Sequence, residues 1–300
     1  ILQSWFYGKS KAQVEGFEAS NFCVSKNGED LAIVQVLKKK IFILGYLTRI
    51  NRGPIFLNAE IDFDLKIEVL DEVISKVKSD SFLIQIAPEM PDTEELEMSL
   101  RHQGLSRLKS TPWASGILDL TFDEEELLMS VNGKWRNCYR KGIKMGVTVS
   151  NVSDSAEELD ALIASYENLK TEKDFIGLSK DLIYSLAQER HEFWKFNIFK
   201  AHLETENSAL GYLVTIDHGD TSIYLIGLTT EMGRKYQANY SMLWHGILNA
   251  KKGGCSKFDI GGLNEDTPSG VAHFKKGLKS NMYSLSGEWR GYFLKNLIKF

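Results

Sequence analysis

Three hundred residues, 43% of them hydrophobic and 25% charged, can fill two domain cores or one large one, which excludes a disordered chain. The formal charge, 36 − 40 = −4, excludes a protein basic throughout, so any phosphate-binding surface has to be local. Cys23, Cys138 and Cys255 are odd in number and far apart, which excludes a disulfide scaffold and suits a reducing compartment.

In chain order, Phe22–Ser25, a turn at Asn27-Gly28 and Leu31–Leu37 read as a β-hairpin. A further apolar run follows at Ile41–Tyr46. A helix is predicted over 64–78, with Leu65, Val69, Val73, Ile74 and Val77 on one face. Phe82–Ala87 then reads as a buried strand. Helices are predicted through 123–145 and 154–190, with an acid-rich start at Asp123-Glu124-Glu125-Glu126 and Gly146 as a stop. Phe196–Leu203 and Ala209–Ile216 form a second hairpin pattern. Ile223–Leu228, a helix at 236–251 and Lys257–Ile260 follow it. Strand, strand, strand, helix, strand thus occurs twice, about 180 residues apart, which predicts a duplicated domain. The boundary is expected near 118–122: a first domain 1–120, a second 121–286, and a tail 287–300 returning to the first.

The familiar local motifs are missing. Gly8-Lys9-Ser10 imitates the end of a P-loop, but Gln3 stands where its first glycine should be. The six histidines make no i, i+4 pair and there is no Cys-x-x-Cys, so neither a metal site nor a metal cofactor is expected. Gly-x-Ser-x-Gly and Gly-x-Gly-x-x-Gly are absent as well. The longest uncharged stretch, Tyr236–Ala250, has 15 residues and includes His245, too short and too polar to span a bilayer. The opening Ile1–Trp5 shows no signal-peptide pattern, so a cytoplasmic location is expected.

One segment stands out by charge. Lys134 to Lys144 carries five positive charges in eleven residues and no acid. At 3.6 residues per turn Arg136, Arg140 and Lys144 form one stripe, and Trp135, Tyr139 and Ile143 the stripe beside it. This is either a solvated surface helix or a face that contacts phosphates.

Several segments together resemble the Fem aminoacyltransferases. Gln3-Ser4 followed by Lys11 looks like that family's opening motif, and Arg52-Gly53-Pro54 like its Arg-Gly-Pro segment. Trp135-Arg136, Arg140-Lys141-Gly142 and Lys144 are similar to its basic helix. Phe258-Asp259-Ile260-Gly261 and Phe274-Lys275-Lys276-Gly277-Leu278 resemble its Asp-x-x-Gly and Phe-Lys-x-Gly-Phe signatures, with Leu278 for the second phenylalanine. The matches run from Gln3 to Trp289.

The resemblance implies an α/β (α+β) protein of two tandem GNAT-like domains, mixed sheets flanked by helices, without a coiled-coil insertion. It implies transfer of an amino acid from aminoacyl-tRNA to an amine of a nucleotide-sugar or lipid-linked peptidoglycan precursor. Such an ester is already activated, so no cofactor is needed. By the same resemblance, Lys275 stabilises the oxyanion and Phe274 orients it. Lys11, Arg52 and Lys180 contact acceptor phosphates, while Arg136, Arg140 and Lys144 touch tRNA or phosphate. A monomer is expected, with no more than transient contact with a membrane surface.

Two rivals stay open: a CoA-dependent N-acyltransferase of envelope or polysaccharide biosynthesis, and a non-catalytic module binding tRNA or precursor. Against CoA, Gln237 and Asn239 in Arg234–Asn239 occupy the places where a pyrophosphate cradle needs glycines.

Overall fold

A computed structural model describes residues 1–58 and 60–293. The chain divides into two compact units: one is Ile1–Ala114 with the segment from Ser284 onward, the other Ser115–Tyr283. The expected tail 287–300 lies outside the described residues beyond Phe293.

The first unit contains α1 (Trp5–Glu15), β1 (Glu18–Lys26), β2 (Glu29–Ile41), β3 (Gly45–Asn51), β4 (Ile55–Phe56), α2 (Phe63–Lys78), β5 (Ser81–Ala87), α3 (Glu94–His102) and β6 (Ser106–Arg107). Asn27 and Gly28 close the β1–β2 hairpin with φ of 54° and 83°, the two positive values that a tight two-residue turn needs. α2 buries Val69, Val73, Ile74 and Val77, four of the five residues of the expected stripe, together with Leu70, while Leu65 is only half-buried.

The second unit opens with β7 (Ala114–Asp119), α4 (Glu124–Ser130), α5 (Gly133–Lys144), β8 (Val147–Asn151), α6 (Ala156–Lys173) and α7 (Lys180–Gln188). It continues with β9 (Trp194–Leu203), β10 (Glu206–His218), β11 (Thr221–Thr229), α8 (Glu231–Lys235), α9 (Ala238–Lys252), β12 (Lys257–Asp259), α10 (Ser269–Lys276) and β13 (Asn281–Ser284). β14 (Trp289–Tyr292) ends the order of elements. The helical stretch expected over 123–145 consists of two helices, α4 and α5. A capping box at Asp123 and Glu126 starts α4, Val131 turns extended, and Asn132 caps α5 through the Lys134 amide.

The sheets run β1-β2-β3-β5-β14-β6, with β4 beside β2, and β13-β7-β12-β11-β10-β9-β8. Aligned on their parallel pairs, β1, β2, β3, β5, β14 and β6 correspond to β9, β10, β11, β12, β7 and β13. Each repeat therefore receives one strand from outside its own run of sequence. β7 follows the first unit's elements yet pairs with β12, and β14 follows the second unit's elements yet pairs with β5 and β6. These strands carry core residues: Trp289 lies in the first unit's core, Leu118 in the second's. That is why the second unit starts at Ser115 rather than near 118–122: Ala114–Asp119 is a strand of its sheet and not a linker.

Candidate active site

The second sheet opens at one point. β11 and β12 are parallel partners only over Thr221–Ile223 and Lys257–Asp259, while β11 continues to Thr229. A bulge at Leu225, where the β10 register slips between Val214 and Thr215, bends β11 at the same place. Tyr224 is the first residue beyond the paired stretch, and Asp259 ends β12.

Into this opening α10 delivers Lys275. Its side chain is buried, with the residue 5% exposed. Nζ donates to the Gly262 carbonyl at 3.1 Å and lies 4.4 Å from the centroid of the Tyr224 ring. Burial pulls its pKa down to about 8, against the opposing pull of the Asp259 charge. Lys275 is therefore still mainly an ammonium at neutral pH, held by a carbonyl dipole and a π face. Burial pushes the Tyr224 phenol up to about 12, so it stays neutral.

Gly261 is required here twice over. Its φ is +71°, and a Cβ would lie 2.5 Å from the Tyr224 carbonyl oxygen and 3.2 Å from Lys275 Nζ. The turn is pinned by Asp259, whose carboxylate accepts from the Gly261 amide at 2.9 Å, from the Tyr283 hydroxyl at 2.7 Å and from Ser115 Oγ. Asp259 thus fixes the turn whose next carbonyl holds Lys275.

Phe274 faces away from that turn, into an aromatic cluster. Its ring stacks on Trp135 at 6.3 Å and 17° and meets Tyr240 edge-on at 5.0 Å. Its carbonyl accepts from Trp135 Nε1 at 3.1 Å. The basic helix α5 is thereby packed directly against α10. A pocket of about 340 Å³ is lined by Lys134, Trp135, Cys138, Tyr240, His273 and Lys276 among others.

The expected stripes of α5 need two corrections. Ile143 is 51% exposed: the helix buries Trp135 and Gly142, and at Gly142 a Cβ would come within 2.8 Å of Ser241 Oγ, which turns Ile143 outward. Arg136 is not a free surface cation. Its Nη1 donates to the carbonyls of Leu128, Met129 and Val131 at 3.2, 2.6 and 2.6 Å, satisfying the C-terminal end of α4. Arg140, Lys141 and Lys144 are exposed.

Lys180 is exposed at the first position of α7, behind the Ser179 cap. Lys11 and Arg52 belong to the first unit. Lys11 is 6% exposed, pairs with Glu15 and sits 5.4 Å over the Phe17 ring. Arg52, at φ +51°, makes a two-pronged ion pair with Glu89, both contacts at 2.6 Å, and stacks on Trp113. Gln3 is a structural residue: its amide bridges Gln35 N and Asn51 O at 2.6 and 2.8 Å. Ser4 caps α1 by accepting from the Tyr7 amide.

The sequence pattern points to Lys275 and Phe274 but not to Tyr224, Ser115 or Tyr283, which the structure places beside Lys275 or behind its turn. Gly261-Gly262 after a strand was a visible signal. The other three are ordinary strand or strand-end residues until the strands are paired.

The acetyltransferase (GNAT) domain family matches residues 130–276. Over 96% of this chain and 84% of its own length, a Lipid II:glycine glycyltransferase of Staphylococcus epidermidis is 21% identical. The crystal structure of FemX superposes with a TM-score of 0.79 at 18% identity, covering 99% of this chain and 93% of that one. The chain thus carries a segment similar to the acetyltransferase (GNAT) domain and has the fold of FemX. A tandem GNAT protein of the clavulanic acid pathway shares the fold at a TM-score of 0.54 and 10% identity, over 96% and 87% of the two chains. The described residues include no helix long and apolar enough to cross a membrane.

Proposed function

We propose that this chain joins an amino acid to an amine of a peptidoglycan precursor, taking it from aminoacyl-tRNA. The observation that carries the reading is the Lys275 ammonium, buried in the opening between β11 and β12, bonded to the Gly262 carbonyl and lying over the Tyr224 ring. The acceptor amine attacks the ester carbonyl, a C–N bond forms, and the carbonyl oxygen becomes an oxyanion. A preorganised cation in a dry site stabilises that charge, an effect worth about 2.7–4 kcal/mol for one donor. Collapse breaks the C–O bond. The ribose hydroxyl leaves with one proton, and the attacking amine loses one.

The name of the S. epidermidis relative supports a lipid-linked acceptor and an aminoacyl product. A CoA donor is disfavoured by α8 and the turn after it. The amides of Tyr236 and Gln237 already donate to the Met232 and Arg234 carbonyls, and Gln237 fills the turn at φ +59°. A pyrophosphate would have to displace those bonds. The exposed Arg140, Lys141 and Lys144 are assigned to tRNA phosphates, and Lys180, Lys11 and Arg52 to the acceptor. Lys11 and Arg52 would each have to share their charge with the carboxylate that holds them.

The test is direct. The protein is incubated with a mixture of charged tRNAs and amine acceptors, lipid-linked and nucleotide-linked, and new amides are sought by mass spectrometry. An amide formed from acetyl-CoA but never from charged tRNA would transfer the assignment to the CoA reading. Salt-dependent tRNA binding without any amide would favour a binding module.

A further inference from the structure

The strongest feature outside the candidate site is the tip of the β2–β3 hairpin. The chain there reads Lys38-Lys39-Lys40-Ile41-Phe42-Ile43-Leu44. Phe42, Ile43 and Leu44 form a single 3-10 turn in which no residue is buried. They are 87%, 76% and 39% exposed, three large apolar side chains in succession on one protruding turn. Leaving them in water forgoes the hydrophobic gain that burial would bring. A tight turn is ordinarily closed with Gly, Asn, Asp or Ser. Here Phe42 takes a left-handed φ of +33°, which polar turn residues adopt at lower cost.

Behind the tip the chemistry changes in an ordered way. Lys40 is exposed and lies opposite Tyr46, and Lys38 lies opposite Thr48. Lys38 Nζ also sits 5.5 Å over the Tyr46 ring and pairs with Asp80. Lys39 Nζ donates to the Glu15 carbonyl at 2.9 Å. From the tip backwards, then, come an apolar layer, an aromatic ring and a belt of three lysines in a chain whose net charge is −4. That gradient matches a lipid interface: acyl chains, then the headgroup level favoured by aromatic rings, then anionic phosphates.

We propose that the Phe42–Leu44 tip is a membrane-docking element that inserts shallowly into an anionic lipid surface, with the exposed Lys40 meeting the headgroup phosphates and Lys38 and Lys39 adding positive potential behind it. The docking is independent of which acyl donor the second unit uses.

The test is co-sedimentation of the full chain with vesicles of phosphatidylglycerol mixed with phosphatidylcholine, against phosphatidylcholine alone. Wild type should pellet with the anionic vesicles and be released by salt. Replacing Phe42, Ile43 and Leu44 together by Ser should weaken partitioning by at least about tenfold. Lys40→Gln should weaken it by about fivefold, the effect of one basic residue near an anionic surface. Should the triple variant fail to fold, the single Ile43→Asp change at an exposed position serves instead and should also lose binding. Unchanged binding in these variants, or equal binding to both vesicle types, would overturn the proposal. So would a concentration-dependent dimer abolished by the same substitutions, which would make the tip a contact between copies.

Discussion

The two sheets share a strand order, and they differ at the end of the parallel pairs β3–β5 and β11–β12. In the first, β3 and β5 stay paired from Tyr46–Ser81 to Asn51–Ala87. In the second, β11 and β12 part after Ile223–Asp259. The residue after the last pair is Arg52 in one unit and Tyr224 in the other. Two residues beyond the second strand stand Glu89 and Gly261 respectively. In the first unit these corresponding positions hold a two-pronged ion pair stacked on Trp113. In the second they hold a ring and a glycine, and a cation enters from α10 instead. A guanidinium already answered by a carboxylate has little left to offer a developing anion. An ammonium held by a carbonyl and a ring does, and its lowered pKa records the cost of keeping it there.

The largest expected effect sharpens that contrast. Lys275→Met should lower amide formation by about 10²–10³-fold, measured as single-turnover transfer. It should also stabilise the protein at neutral pH by up to about 3 kcal/mol, because the ammonium's pKa drops from 10.5 to about 8 on folding. The sign follows from proton counting. Between pH 8 and 10.5 the unfolded chain binds more protons at this residue, so wild-type stability gains with rising pH. The Met variant should lack that gain. Equal stability of the two at pH 7 would mean that the amine is not desolvated.

In the first unit the corresponding perturbation is Glu89→Gln. It leaves Arg52 partly buried against a neutral partner and should cost about 2 kcal/mol of unfolding free energy, read from denaturant melts. An unmoved midpoint would show that the ion pair does not close the first sheet.

Asp259→Asn should act less on rate than on pH dependence. The groups facing Lys275 are the neutral Tyr224 phenol from β11 and the Asp259 carboxylate from β12, itself bonded to Tyr283 from β13. Removing the carboxylate charge removes the influence that raises the Lys275 pKa. The ammonium, the active form under the proposed mechanism, is then lost at lower pH. The alkaline limb of the transfer rate should move below its wild-type position near pH 8, with about a tenfold loss at neutral pH. A rate loss with the limb unmoved would reduce Asp259 to a purely structural turn-former.

Much of this was legible in the sequence where it depends on local pattern. The Asn27-Gly28 hairpin, the α2 stripe and the repeated strand–helix–strand order follow from period and turn chemistry. Lys275 came from a motif rather than from a physical reading, since among Lys276 and Lys279 nothing local distinguishes it. The exchange of β7 and β14 between the sheets was not legible. Ala114–Asp119 and Trp289–Tyr292 are short apolar strands whose partners lie over 100 residues away, and periodicity carries no information on partner choice. The role of Arg136 escaped for a similar reason. Its spacing put it in the basic stripe, but the break at Val131 presents it with the carbonyls at the end of α4.

That break yields the smallest expected effect and the one that best separates neighbouring cations. Arg140 and Lys144 are exposed on α5, so replacing both by Gln should weaken tRNA binding modestly and flatten its salt dependence by about 0.7–0.9 in log–log slope per lost phosphate contact. Arg136→Gln should leave that slope alone. It should instead lower stability by about 1 kcal/mol, because three carbonyls lose one donor. If Arg136→Gln flattens the slope while the melting temperature holds, its guanidinium reaches phosphate after all, and the basic stripe read from helical spacing acts as one surface.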